Sequence, residues 1–349
     1  MVMTDRPSLL DATLEDLGGA LEGIDPRPFR ARQVRHWLVR RLVPSFEEMS
    51  DLPRAFREAL RERFVIGDPE VVEVQRAPDQ TCKVALAYPD GAVVEAVVMP
   101  MEGRTTVCLS TQTGCAVGCT FCVTGVLGAG RNLTAGEIFG QYRVLMNRER
   151  LLQTPVNVVF MGMGEPLLNA AALFSSLELL SVTISPRRTT VSTSGIVPGI
   201  ARLASLARRP NLAVSLNATT QEQRTQLMPV AARWPLEELV DALRCYPLER
   251  GRRITIEYVM LGGLNDSLDD ARRLPRLLRG IPVKVNLIPF NPDPVHLRGF
   301  STPSAAIVDR FAAVLVDAHV NVTVRWSKGR EIAGACGQLR GRVLRGYAG

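Results

Sequence analysis

From about residue 104 onward the chain alternates short apolar runs with amphipathic stretches. The runs at 105–110, 157–161, 188–192, 212–216, 254–260 and 283–288 read as strands, and a seventh, at 320–325, follows the last amphipathic stretch. Between them apolar residues recur at helical spacing, for example over 134–149, 168–183, 235–246 and 303–318. Repeated strand–helix units imply parallel strands joined by right-handed crossovers. Six units are too few for an eight-fold barrel, so the expected fold is α/β, an open, partial (βα)6 TIM-like barrel. Chemistry in such folds sits at the C-terminal strand ends.

Upstream the pattern changes. Residues 71–75 and 83–88 alternate like strands, Pro89, Asp90 and Gly91 supply a turn, and 92–99 forms the partner, giving a small β-hairpin module. Residues 8–64 read as helical, punctuated by Pro26, Pro44 and Pro53. The expected organisation is a helical region over 1–64, the hairpin module and linker over 65–103, and the barrel with a C-terminal cysteine loop over 104–349.

Charge sharpens the picture of the first region. Residues 1–26 hold six acids and one Arg, whereas 27–63 hold ten Arg and five acids. Phe29, Val34, Trp37, Leu38 and Leu42 recur at near-helical spacing, with Arg30, Arg32, Arg35, Arg40 and Arg41 interleaved. This reads as a basic amphipathic helix, either a solvated face over a small core or a contact for RNA. The whole chain of 349 residues carries a net charge of +7, which is compatible with a polyanionic partner without requiring one. An apolar content of 46% supports a sizeable core. No basic n-region followed by an apolar run opens the chain, and no stretch of 18 apolar residues occurs, so neither a secretory leader nor a membrane span is expected. Seven cysteines in such a chain point to a reducing cytoplasm and to thiols that carry chemistry.

Three of those thiols, Cys115, Cys119 and Cys122, form a CxxxCxxC run just after the first barrel strand. Three thiolates within eight residues can reach three corners of one cubane and leave its fourth iron open. A structural zinc site needs four ligands, and the only histidines, His36, His296 and His319, lie far away in sequence. The iron–sulfur reading is favoured, with zinc or inert thiols as the alternatives.

Other unusual motifs fall at further strand ends. Gly162, Gly164 and Glu165 follow the second strand, Ser192 to Gly195 end the third, Ser215, Leu216 and Asn217 the fourth, and Asn291 the sixth. Each could be ordinary loop capping, but together they could line one polar ligand. Cys108 lies on the first strand, and Cys336 sits in a Gly-flanked loop, a setting that suits a nucleophile. Cys82 and Cys245 read as buried small hydrophobes.

These residues bring a known family into view. The chain resembles the RlmN/Cfr family of radical S-adenosylmethionine RNA methyltransferases over nearly its whole length. The resemblance rests on Val94 to Val97, the block from Cys108 to Cys122, residues 131–138 and 162–167, Ser192 to Gly195, and residues 256–261, 285–289 and 335–339. It implies a radical SAM barrel in which Cys115, Cys119 and Cys122 hold a [4Fe–4S] cluster. S-adenosylmethionine would be held by Gly164, Glu165, Ser192, Ser215, Leu216, Asn217 and Asn291, and two molecules would be used per turnover. Cys336 would be methylated and then carry its methyl carbon, as a radical, to an adenine ring. Glu95 would remove the ring proton, and Cys108 would release the product by forming a disulfide with Cys336. The chain departs from the family at Asn217, where His is usual, and at Glu331, where Asp is commoner.

The function so implied is methylation of carbon 2 of an adenosine in 23S ribosomal RNA, with transfer RNA as a further substrate. The partners would be RNA and an external electron donor, the chain being expected as a cytoplasmic monomer. The sequence Pro289-Phe290-Asn291 resembles the carbon-2 group rather than the Cfr-type carbon-8 group. A cluster- or zinc-bearing RNA-binding protein without catalysis is the reading from another class. It leaves Cys108, Cys336 and Glu95 without a purpose.

Overall fold

The computed structural model describes residues 6–340. At the N-terminal end, α1 (Leu14–Leu21), α2 (Phe29–Arg35) and α3 (Arg54–Arg63) pack together. The single basic helix expected over this region is more irregular: α2 runs directly into a π-helical turn, His36–Arg41, which ends at Leu42 in a left-handed conformation (φ 57°). Only Arg32, Arg40 and Arg41 of its five interleaved arginines are exposed. Arg30 is buried and paired with Asp25 at 2.6 Å, and the Phe29 ring stands at the surface under Arg27 and Arg30.

One ten-stranded sheet follows in chain order: β1 (Glu70–Arg76), β2 (Cys82–Ala87), β3 (Val93–Met101), β4 (Arg104–Cys108), β5 (Val156–Phe160), β6 (Thr189–Thr193), β7 (Asn211–Ser215), β8 (Ile254–Met260), β9 (Val283–Pro289) and β10 (Asn321–Val324). The first four strands are antiparallel neighbours, and from β4 to β10 every pairing is parallel. The expected six barrel strands and the seventh all form, with ends shifted by at most one or two residues. The hairpin segment is a three-stranded meander, and β3 joins it to β4, so it extends the main sheet.

The intervening helices are α4 (Val123–Leu127), α5 (Ala135–Arg148), α6 (Ala170–Leu180), α7 (Val197–Ala204), α8 (Gln221–Leu227), α9 (Leu236–Arg244), α10 (Leu268–Leu277) and α11 (Ala305–Asp317). Local sequence starts them where the site needs them. Thr134 and Glu137 form a capping box on α5, with Thr134 Oγ1 accepting from Glu137 N–H and Glu137 Oε2 from Thr134 N–H. Glu137 also takes two hydrogen bonds from Arg131, at 2.7 and 2.8 Å, and the same guanidinium reaches Asp90 in the β2–β3 turn. The meander is thereby tied to the first barrel helix.

A contiguous apolar core runs from Leu17, Leu38 and Leu60 of the N-terminal helices through Val84, Val158, Ile256 and Leu287 to Phe311. A buried charge crosses the same junction. The carbonyls of Leu38, in the π-helical turn, and of Leu42 and Val43, just past it, are met by side chains of α5. Arg143 of α5, fully buried, donates to Leu38 O and to Val43 O (2.7 Å), while Asn147 donates to Leu42 O (2.7 Å). Asp68 completes the arrangement, accepting from Arg143 Nε and Nη2 at 2.7 and 3.0 Å.

Replacing Arg143 by Leu strands a carboxylate and two carbonyls at this junction, and losing one partner of a buried pair costs about 3–5 kcal/mol. We expect Arg143→Leu to lower unfolding stability by that order in urea titrations, with early proteolytic cleavage in the 30–50 region. A change under about 1 kcal/mol would show that apolar packing alone docks the helices.

Candidate active site

Because β4 to β10 are parallel, their C-terminal ends share one edge of the sheet, and the cysteine run leaves β4 at that edge. Backbone contacts hold its shape: Cys115 N–H donates to Gly128 O at 2.8 Å, Thr120 N–H to Leu227 O at 3.0 Å, and Val123 N–H to Gly337 O at 2.7 Å. A Cβ on Gly114 would lie 2.5 Å from Gly128 O, so only glycine allows that approach. Phe121 and Val123, flanking Cys122, enter a small apolar cluster with Leu227, Met228, Leu261 and Phe290.

The three thiols are half-buried. Burial pushes Cys115 up to about 12, Cys119 well above its ordinary value, and Cys122 upward; for Cys119 the neighbouring thiolates of Cys122 and Cys115 add to the effect. As thiolates they repel one another, so an ionised set requires a cationic body to gather it. Among the described residues no three His, Cys, Asp or Glu side chains converge as a single-ion site. Three thiols on one short loop match three corners of an iron–sulfur cubane, whereas a structural zinc ion takes four ligands.

Next to this loop lie the polar residues of the other strand ends. Gly164 has φ +97°, and a Cβ there would meet Gln112 Cβ at 2.6 Å. Glu165 is buried: its Oε1 accepts from Leu167 N–H at 3.0 Å, and its Oε2 from Ser194 N–H and Oγ at 2.7 and 2.8 Å. Burial raises its pKa, while those donors lower it. With three of its roughly four acceptor positions used, it retains room for a cation such as an ammonium group. Ser192 and Ser215 close β6 and β7, and Leu216 is fully buried behind them.

Two asparagines behave differently from a simple ligand-facing pair. Asn217 adopts φ +57°, a conformation Asn tolerates better than most residues. Its Oδ1 accepts from Val259 N–H at 2.8 Å, and its Nδ2 lies 3.3 Å from Met228 Sδ, so its side chain is spent on holding β7 to β8. Asn291 Nδ2 donates to Ser327 Oγ at 2.9 Å and to Cys336 O at 3.3 Å, tying the end of β9 to the C-terminal cysteine loop.

Cys108 and Cys336 are brought together, whereas Glu95 shares the sheet face of Cys108 without being one of the residues that line their cavity. Cys108 and Cys336 line a cavity of about 240 Å³ with Val97, Met161, Arg325 and Trp326. Cys336 is accessible from that cavity, yet the protein packed around it raises its pKa by desolvation. Cys108 is buried, and burial, then the nearby Cys336, push it up to about 12. Val97 pairs with Cys108 across β3 and β4, so Glu95, two residues along β3, shares that face of the sheet. The Glu95 carboxylate is paired with Lys83 Nζ at 3.0 Å and accepts from Arg340 N–H at 2.8 Å. A larger groove, of about 840 Å³, lies at the opposite strand ends among Arg253, Arg276, Arg279 and His319, without a cysteine.

Sequence reading missed several participants. Lys83 lies across from Val97 on β2, diagonal to Glu95, and also reaches Ala333 O at 3.4 Å. A lysine inside an otherwise buried strand was the available signal. Ser110 donates to Glu95 O (2.7 Å) and accepts from Met163 N–H (2.8 Å), joining β3 to the Gly-rich turn. Glu257 on β8 is buried beside Asn286 with its Oε2 unpartnered. Of the two cysteines expected in the core, Cys82 is buried, but Cys245 is exposed because it caps the C-terminal end of α9.

The chain is similar to known proteins over nearly its whole length. The radical SAM superfamily model matches residues 109–274, and the ribosomal RNA large subunit methyltransferase N-terminal domain model matches residues 8–66. The chain is 48% identical to a dual-specificity RNA methyltransferase RlmN from Anaeromyxobacter dehalogenans, over 96% of this chain and 92% of that protein. It is 44% identical to the protein of the same name from Geotalea uraniireducens, over 97% and 98%. The crystal structure of a radical SAM methyltransferase from Sphaerobacter thermophilus superimposes with a TM-score of 0.90 at 42% identity, covering 96% of this chain and 99% of that one.

The raised thiol pKa values carry a direct expectation. With its pKa near 12, Cys108 is neutral at pH 8 and gains thiolate only as pH climbs towards that value. In reduced protein without cofactors, peptide mapping after iodoacetamide treatment should show negligible Cys108 alkylation at pH 8, rising roughly tenfold per pH unit while the fold persists. Rapid alkylation at pH 8 would contradict the buried, neutral thiol.

Proposed function

The chain belongs to the RlmN family of radical SAM RNA methyltransferases, and from that premise we propose that it methylates carbon 2 of an adenosine in 23S ribosomal RNA and in transfer RNA. The observation that carries this reading is the shared cavity of Cys108 and Cys336, with Glu95 on the same sheet face and the three-cysteine loop bonded to Gly337. Carbon 2 of adenine has no lone pair with which to attack a sulfonium methyl, so a polar transfer to it is closed. A thiol that first takes the methyl and then delivers its carbon as a radical opens a route.

Cys115, Cys119 and Cys122 would hold a [4Fe–4S] cluster. Gly164, Glu165, Ser192, Ser215, Leu216, Asn217 and Asn291 would surround S-adenosylmethionine. When bound, these groups supply the methyl, an electron and the means of hydrogen abstraction. The chain's own residues do the rest. Cys336 carries the methyl carbon as a thioether and joins it to the ring. Glu95, paired with Lys83, accepts the ring proton. The thiolate of Cys108 attacks the Cys336 sulfur and breaks its bond to the bridging carbon, which takes up a proton to become the methyl group of the freed base; the disulfide that remains is reopened by an external reductant. For Asn217, whose side chain is already engaged, the contact runs through its backbone, which makes the replacement of the family's His a mild one.

On this reading residues 1–64 contact RNA, 65–103 bring Glu95 to the site, and 104–349 carry the reaction. The protein works as a cytoplasmic monomer. No helix among the described residues is long and apolar enough to cross a membrane.

Anaerobic reconstitution with iron, sulfide and S-adenosylmethionine on ribosomal RNA, followed by nucleoside mass spectrometry, tests the reading. We expect 2-methyladenosine; 8-methyladenosine would assign the Cfr-type reaction instead. Cys336→Ala should retain its iron and lose methylation altogether, and any methylation by that variant would sink the mechanism. Cys108→Ala should remain covalently attached to RNA in a denaturing gel. Neutralising the exposed Arg32, Arg40 and Arg41 should weaken RNA binding and flatten its dependence on salt. An unchanged slope would make that segment only a scaffold.

A further inference from the structure

Arg224 is the charge for which the fold and the proposed chemistry so far give no account. It lies on α8 with its side chain fully buried. One terminal nitrogen, Nη2, donates to Ser194 O, while Nε and Nη1 have no partner. Space is made for it deliberately: a Cβ on Gly195 would sit 2.9 Å from Nη2. The last residue of the same helix, Leu227, accepts from both Thr120 N–H (3.0 Å) and Thr120 Oγ1 (3.3 Å), which fixes α8 against the cysteine loop next to Cys119. Ser194 in turn holds Glu165.

Burial lowers the pKa of Arg224 to about 10, and negative charge on Cys119 acts the other way. The guanidinium is therefore still a cation at neutral pH. No carboxylate among the described residues pairs with it. A buried cation without a partner is strongly unfavourable, and replacing such a charge by an apolar side chain of similar size is often neutral or stabilising. The arrangement makes sense once an anion is assembled beside it.

We propose that Arg224 is a positioning residue for the cluster: its unpartnered N–H groups compensate the negative charge of the body gathered on Cys119 and favour its one-electron reduced form. This rests on the reading that Cys115, Cys119 and Cys122 bind a [4Fe–4S] cluster. Such a body, with three thiolates, is net negative and becomes more so on gaining an electron. A fixed cation nearby lowers the energy of the reduced state more than that of the oxidised one.

The test compares the native chain with Arg224→Met and Arg224→Lys, each as cluster-free and as anaerobically reconstituted full-length protein, without S-adenosylmethionine. Iron and sulfide content, thermal unfolding and the midpoint potential from a spectroelectrochemical titration are measured. Arg224→Met should be as stable as the native chain or more so without the cluster, and less stable with it. Its midpoint potential should shift downward, with Arg224→Lys falling between. Equal potentials in native and Met proteins at equal iron content would overturn the proposal. So would an Arg224→Met chain that fails to fold or loses equal stability with and without the cluster, since that marks a purely structural residue. A shift that appears only when S-adenosylmethionine is added would make Arg224 a contact of that cofactor, again against the proposal. If the native chain itself takes up no iron and sulfide, the underlying cluster assignment fails, an outcome separate from all of these.

Discussion

The arrangement depends on holding an irregular loop over the edge of a parallel sheet so that one thiol meets another. Cys336 is the only one of the three non-cluster participants that does not belong to a strand, and nothing local fixes a Gly-flanked cysteine. Its position comes from bonds to distant parts of the chain. Asn291 holds its carbonyl, Gln338 donates to Pro292 O at 3.0 Å, Thr124 to Leu339 O, and Lys328 to Pro100 O at 2.7 Å. Gly329 N–H donates to Asp79 Oδ2 at 3.0 Å, and Lys83 and Glu95 clasp Ala333 O and Arg340 N–H. Each bond is worth only about 0.5–1.5 kcal/mol net, but they come from the β1–β2 turn, β2, β3, α4 and the segment after β9 and so constrain the loop from several sides.

The antiparallel strands acquire a purpose in the same frame. A (βα) barrel supplies its chemistry from the C-terminal strand ends, and Glu95 does not lie on a barrel strand. By pairing β3 to β4, the meander places an interior carboxylate on the sheet face that Cys108 occupies, from a strand that lies outside the barrel. The burial of Val93 to Val98 on both faces then demands a partner for the one charge in the run, and Lys83 from β2 provides it. The ion pair of Lys83 and Glu95 therefore follows from where the meander is attached.

The elements that repeat along the chain were the easily read ones. Seven parallel strands and the 82–101 hairpin follow from apolar periodicity and a Pro-Asp-Gly turn, and the cluster loop from the spacing of three cysteines. Cys108 and Cys336 stood out by their settings, but their joint role, and Glu95 altogether, came from resemblance, because the meeting of the two thiols depends on a contact between residues more than two hundred positions apart. What periodicity could not reveal is charge taken into the interior. Arg143 serves carbonyls in and just past a π-helical turn that no pattern announces, and Arg30 is buried where Phe29 was expected to be. The same holds for Asn217 and Asn291: their types suggested ligand contacts, but whether an amide faces a ligand or another strand is decided only in three dimensions.

Those interior charges divide into two kinds. Arg143 with Asp68, and Lys83 with Glu95, are complete: each cation has its carboxylate, and the pair serves geometry. Around the cysteine loop the balance is different. The thiols are held neutral by burial, Glu165 is raised by burial though amply hydrogen-bonded, Glu257 keeps an unpartnered oxygen, and Arg224 keeps two unpartnered nitrogens. Among the described residues unpartnered buried atoms also occur elsewhere, at Arg57, Thr81 and Tyr246 for example, but at this edge they include charged groups of both signs, Arg224 and Glu257. A site built to receive a charged cluster and a zwitterionic cofactor must leave such groups open, because closing them within the protein would turn each incoming bond into an exchange. The polar incompleteness of this edge is thus the complement of the tightly bonded loop above it, one fixing the thiols and the other leaving the charges free to be matched.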